Sequence, residues 1–181
     1  MHGSVKFMTI RKTTKEDLGA VMPIFAEARA SIAELGIDQW QDGYPARSDI
    51  EADIENGVSW CVELEGEIVG SFALILDGEP LYDVIEDGEW LTDSDSREAK
   101  YAAIHRITIK RAKRGSGIST AVVKFALAFA EVNGKGSVRV DTHYGNVIMR
   151  RMLEKHGFRE CGRIYLANGD PRVGYEHTVG N

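Results

Sequence analysis

Between residues 104 and 166 the hydrophobic period switches four times between two and about 3.6 residues. Ile104 to Lys110 alternates as a strand does, and Ile118, Ala121, Val122, Phe125, Phe129 and Val132 then fall on a helical face. Val138 to Thr142 returns to a strand. Asn146 can cap a second helix carrying Ile148, Met149, Met152 and Leu153, which Gly157 closes before a strand from Phe158 to Leu166. A chain that alternates in this way is steered from bundles and sandwiches towards α/β or α+β folds with a central sheet.

The remainder supports the same class. Lys6 to Lys12 reads as a strand, and Thr13 with Glu16 as a capping box. The helix that follows carries Leu18, Val21, Met22, Phe25, Ala28, Ile32 and Leu35, with Pro23 either in the first turn of a shifted helix or at a kink. Ser48 to Asn56 reads as a short helix capped by Ser48, with Glu51 completing the box. Val58 to Leu64 and Glu67 to Leu76 pair around a turn, and Arg172 to Thr178 closes a hairpin through Asn168-Gly169-Asp170. Asp77 to Lys100 holds nine acidic residues, Pro80 and an isolated Trp90, and is expected to be a lid or a mobile loop. Without repeats or linkers, residues 1–181 read as one domain, with residues 1–6 disordered or foreign to the fold.

A chain of 181 residues can bury roughly 70% of its unfolded surface, enough for a core without metals or disulfides. The composition, 43% apolar and 28% charged, excludes disorder. No apolar run approaches the ~18 residues of a membrane span, and the start lacks a signal-peptide block. Cys61 and Cys161 have no ligand spacing and the histidines none either, which argues against zinc and for a reducing cytoplasm. Residues 1–100 hold 8 basic and 22 acidic side chains, while residues 101–181 hold 14 and 6. Either solvated faces simply differ, or one half is built to hold an anion and the other attracts a cation. The basic half lacks the interleaved aromatics of a nucleic-acid reader, so neither a nucleic acid nor a membrane is expected as partner.

The segment Arg114-Gly115-Ser116-Gly117-Ile118-Ser119 joins a strand to an apolar helix. Glycines let a ligand approach the backbone, and a helix start offers unpaired amides at the positive end of the dipole. This suits a phosphate, although such a turn can also be a plain connection. Lys110, Arg111, Lys113 and Arg114 add four cations beside it. No Lys follows Gly117, so it is not a P-loop, and Thr120 stands where a dinucleotide fingerprint needs its third Gly or Ala.

The turn resembles the Arg/Gln-x-x-Gly-x-Gly/Ala motif of the GNAT superfamily of acyl-CoA-dependent N-acyltransferases, with Ser119 in place of the final Gly/Ala. Asn146 followed by Glu154, Lys155, Gly157 and Phe158 is similar to that family's second signature. The order of elements agrees over most of the chain. The resemblance implies the GNAT fold, a mixed, mostly antiparallel twisted sheet of six to seven strands flanked by about four helices. It also implies acetyl transfer from acetyl-CoA, with no metal, to a primary amine of a small molecule or peptide by direct attack in a ternary complex. Ile107, Thr108 and Ile109 would run along the pantetheine arm. Arg114, Gly115, Ser116, Gly117, Ile118 and Ser119 would take the pyrophosphate, with Asn146 touching the cofactor and Arg150 its ribose phosphate. A monomer or a homodimer fits equally.

The chemistry needs a neutral amine. Freeing a lysine-like amine of pKa near 10.4 at pH 7 costs about 4.6 kcal/mol, and an α-amine about 1–1.4 kcal/mol. His105 is the preferred base, since strict alternation places it on the face of Ile107 and Ile109; an orienting or merely buried histidine is the alternative. His143 is a second candidate. Many members protonate the leaving thiolate with a tyrosine where this chain has Leu153, so Tyr144 is the substitute considered. Trp40 and Tyr44 are candidate acceptor-site walls, or simply packing residues. Leu153 also keeps open a catalytically impaired CoA-binding sensor.

Overall fold

The computed structural model describes residues 7–180; the expectations for residues 1–6, including Lys6 as a strand start, lie outside them. Seven strands form one sheet in the order β1-β2-β3-β4-β5-β7-β6. They are β1 (Met8–Lys12), β2 (Ser59–Leu64), β3 (Glu67–Ile75), β4 (Tyr101–Ile109), β5 (Ser137–Thr142), β6 (Arg159–Tyr165) and β7 (Pro171–Thr178). Every neighbouring pair is antiparallel except β4 with β5. Four α-helices lie on the sheet among the described residues: α1 (Leu18–Ala33), α2 (Arg47–Glu55), α3 (Ile118–Val132) and α4 (Val147–Lys155). None is long and apolar enough to cross a membrane.

The sheet has two unlike faces. On one, Ile118, Val122, Ala126 and Ala130 of α3 and Leu153 of α4 bury the larger core with Val62, Phe72, Ile104 and Val140. On the other, Leu18, Val21 and Phe25 of α1 pack with Ile50 of α2, and Tyr82, Tyr101 and Ile164 make a third cluster. Pro23 is inside α1 rather than at its start.

Two capping assignments move. The box before α1 is built from Thr14 and Asp17, not Thr13 and Glu16: the Asp17 carboxylate accepts from Thr14 N–H at 2.8 Å and pairs with Arg11 at 2.7 Å. At α2, Ala46 is the cap and Asp49 accepts its N–H at 2.6 Å, while Glu51 pairs with Arg47 along the helix. In both places a carboxylate one turn in is reached by a different residue than the Ser/Thr pattern suggests.

The acidic segment 77–100 is tied to the sheet rather than free. Glu176 of β7, fully buried, accepts from Leu91 and Thr92 N–H and from the Thr92 and Ser137 hydroxyls. Arg139 of β5, equally buried, pairs with Glu176 at 3.1 Å and donates to the Thr92 and Ser94 carbonyls. Trp90 covers the guanidinium at 4.5 Å and donates its indole N–H to Tyr82 O. A buried charge must be paired to be tolerated, and here the pairing consumes the loop's backbone.

Candidate active site

The parallel ladder between β4 and β5 is short. It runs from Tyr101↔Ser137 to Ala103↔Arg139, and beyond Ala103 the two strands part. Sequence alternation gave no hint of this pairing, because Tyr101-Ala102-Ala103 is buried on both faces.

A cleft of about 230 Å³ lies along the far half of β4, lined there by Ile107, Thr108 and Ile109. Ala28, Ser31 and Ile32 of α1, with Leu35 just past its end, make one wall, and Ile148, Met149 and Met152 with Asn146 make the other. Its end is Lys113, Arg114, Gly115, Ile118 and Ser119. The α1 wall has a legible signal, a second stripe at i, i+3, i+4 and i+7 beside the core stripe. Met149 and Met152 read equally well as core.

At the turn, Gly115 and Gly117 have φ of +81° and +83°, and a Cβ on either would meet nothing within 4 Å. Left-handed backbone favours glycine, and the open space above it is what a bulky anion needs. Gly117 is the N-cap of α3, so the first amides of that helix have no intrahelical acceptor. The neighbouring cations are less available than their number suggests. Lys110 and Lys113 both reach Glu67, and Arg111 forks onto Glu34 at 2.8 and 3.0 Å. Arg114 instead donates to the Ser31 hydroxyl at 3.1 Å, on the cleft wall.

Asn146 caps α4 by accepting Met149 N–H at 3.2 Å and donates to Gln39 at 3.0 Å, so it serves as cap and cleft wall together. Arg150, expected at a ribose phosphate, makes other contacts here. Its guanidinium is taken by the Tyr175 hydroxyl, the Tyr144 carbonyl and Glu160, away from the cleft lining. Ser116 and Gly117 are also outside the lining, although they shape the turn.

The face on which His105 lies differs from the one that strict alternation predicts. In the β3–β4 ladder, Ser71 pairs with Thr108 but Ala73 pairs with His105, so β4 carries one extra residue. That bulge is centred on Arg106, a non-glycine residue at φ +56°. The extra residue reverses the alternation. Ile107 and Ile109 stay with the α3 core, while His105 turns to the opposite face beside Tyr82, ring centroids 6.0 Å apart.

There it joins a polar group that sequence reasoning missed. His105 Nε2 is 3.1 Å from Glu79 Oε2, close enough to pair although not squarely aligned. Burial pushes the Glu79 carboxyl up, but His105 and Leu81 N–H outweigh it and hold it below its usual range. Arg106 makes a two-pronged pair with Asp53 of α2 at 2.6 and 2.7 Å and also reaches the Tyr44 hydroxyl. Burial raises Asp53 against the pull of that guanidinium. Behind Tyr82, its hydroxyl donates to Asp141 at 2.7 Å.

The other candidates lie elsewhere. Trp40, at φ 64°, lines the cleft and packs between Phe25 and Tyr44, whereas Tyr44 sits with Arg106 outside it. His143 Nδ1 accepts Gly145 N–H at 2.9 Å and Nε2 faces Asp38 at 3.6 Å, so the lone pair a base would use is engaged. Tyr144 is exposed beside Arg150. Leu153, where the usual tyrosine would be, is fully buried.

Such a sheet, opened between two parallel strands with a slot that ends on a helix N-terminus, defines an α/β protein with a largely apolar cleft running to a glycine turn. The Acetyltransferase (GNAT) family matches residues 25–158, and the chain belongs to that family and thereby to the acyltransferases. A GNAT-family acetyltransferase structure from Streptococcus agalactiae is 35% identical, with 96% of each chain covered and a TM-score of 0.85. One from Listeria monocytogenes shares the fold at 22% identity over 96% of this chain and 99% of that one, with a TM-score of 0.70. An uncharacterised N-acetyltransferase of Methanocaldococcus jannaschii is 24% identical over 88% of this chain. That match covers 64% of the relative, so the chain spans less than two thirds of that protein's length.

Proposed function

We propose that this protein transfers acetyl from acetyl-CoA to a primary amine of a small molecule or peptide, by direct attack within a ternary complex, as one domain in a reducing cytoplasm. The observation that carries this is the cleft itself, which runs from the parting of β4 and β5 to the glycine turn before α3. The residues present fit the cosubstrate. Gly115 and Gly117 leave room over a cluster of amides for a diphosphate, and the apolar walls suit a flexible arm. Bound there, acetyl-CoA supplies an activated thioester.

The chain's part is to bind, orient and deprotonate. Backbone amides after residue 114, with Arg114, hold phosphate oxygens; Ile107, Thr108 and Ile109 align the arm; Trp40 separates cleft from acceptor side. His105, on the opposite face of β4, receives the proton from the incoming ammonium ion. Its face reversal favours this role, because the acceptor then approaches from the side away from α3. His143, with its lone pair occupied, is the weaker candidate.

Gly117→Glu is expected to weaken acetyl-CoA binding about a hundredfold or more in calorimetry, since it places a negative side chain over the phosphate position. Unchanged affinity in a folded variant overturns the cofactor assignment. The acceptor is sought by thiol release from acetyl-CoA with amino acids, polyamines, aminoglycosides and peptide N-termini. One observation favours a second reading: the buried Leu153 leaves the thiolate without the usual acid, and tight binding with slow release for every amine would mark a CoA-binding sensor.

A further inference from the structure

We propose that Glu79 is a positioning residue for His105, holding the imidazole in the tautomer whose Nδ1 faces the acceptor with a free lone pair. This rests on the reading of His105 as the base. The geometry comes from both partners. Nε2 is occluded from solvent and lies 3.1 Å from Glu79 Oε2, at ion-pair distance although without hydrogen-bond alignment, and Nδ1 makes no hydrogen bond among the described residues. A carboxylate beside Nε2 favours a proton there and so leaves the lone pair on Nδ1.

Glu79 is itself fixed. Its Oε1 accepts Leu81 N–H at 3.2 Å, its backbone N–H donates to the Tyr101 hydroxyl at 2.9 Å, and that hydroxyl donates back to its carbonyl at 3.3 Å. The Tyr82 ring, inclined by 31°, supports the imidazole from one side. Of the other charges nearby, Arg106 is paired with Asp53, while Asp141 keeps its charge and accepts from the Tyr82 hydroxyl. Glu79 is the carboxylate in direct contact with the imidazole. When the acceptor ammonium loses its proton, the N–H bond breaks, Nδ1 gains the proton and the imidazolium forms beside a carboxylate that stabilises it.

The test is Glu79→Gln, nearly the same shape without the charge. Nitrogen-15 chemical shifts of the imidazole are expected to show the Nε2–H form in the native protein and a mixture in the variant. With the fastest amine of the thiol-release screen, kcat should fall about tenfold or more, with its acid limb moved to lower pH and KM for acetyl-CoA unchanged. Glu79→Asp should restore part of the rate. Tyr101→Phe, which frees the backbone at residue 79, should give a smaller loss in the same direction and serves if Glu79→Gln does not fold. An unaltered tautomer, or an altered tautomer with unaltered turnover and pH profile, overturns the proposal. The two readings separate through His105→Gln. Full activity there removes the base and the positioning role together, whereas an inactive His105→Gln beside a fully active Glu79→Gln removes only the latter.

Discussion

Arg106 occupies a conformation that its side chain must enforce. A residue with a Cβ at φ +56° costs roughly 1–2 kcal/mol relative to ordinary backbone, and the forked contact with Asp53 offsets that cost. Arg106→Ala is expected to lose about 3 kcal/mol or more, because Asp53 is left buried and unpaired. Arg106→Gly should be more stable than Arg106→Ala by about 1 kcal/mol, the reverse of the usual order within a strand. Urea midpoints of both variants decide it, and the ordinary order would show that the bulge is unstrained. This residue also explains the main misreading of the sequence. Strict alternation places His105 with Ile107 and Ile109, and nothing in His105-Arg106-Ile107 announces an inserted position. Ile107, Thr108, Ile109 and the glycine turn are legible because each depends on local pattern. Glu79, Asp53 and Arg106 are not, because their partners lie 26 and 53 residues away along the chain.

The element that departs most from expectation is the segment between β3 and β4. Nine carboxylates and few apolar residues describe a mobile lid, but the composition does not reveal that Glu176 and Arg139 sit at zero exposure beneath it. Glu176→Gln leaves Arg139 with no counter-charge and is expected to cost about 3–5 kcal/mol. Adding Arg139→Met should recover part of the loss, since a buried pair removed whole costs less than one broken. Thermal melts of the single and double variants measure this; a single variant within 1 kcal/mol of the native protein would refute the anchoring role. By contrast, the helices and strand between residues 118 and 155 follow their periodicity closely, with α3 spanning Ile118–Val132 as its apolar face indicates. The starts of the first two helices differ from expectation, where a carboxylate one turn in decides the cap.

Across the whole molecule, part of the charge asymmetry is met between the two parts of the chain. Carboxylates of the first hundred residues meet bases of the remainder: Glu34 with Arg111, Glu67 with Lys110 and Lys113, Asp53 with Arg106, and Asp87 with Arg163. Composition showed the imbalance but not its destination. Contacts with bases hold Glu34 and Glu67 below the usual carboxylate range, and Arg11 holds Asp17 at about 2. Carboxyls lowered by folding contribute stability above their unfolded pKa, near 4, and lose it as pH falls through the folded value. The urea midpoint is therefore expected to be level from pH 7 to 5 and to drop between about pH 4.5 and 2. A level profile down to pH 3 would contradict it.

The Arg139–Glu176 pair also limits how this architecture can be recombined. Residues 77–100 carry Glu79 and Tyr82 beside His105, so under the proposed function they are the natural stretch to graft from a relative when a different amine is wanted. Grafted alone, they would strand an arginine and a glutamate in a dry interior with no backbone to receive them. The transplantable cassette therefore has to include β5 and β7, and a library that shuffles the loop by itself should yield mostly insoluble proteins.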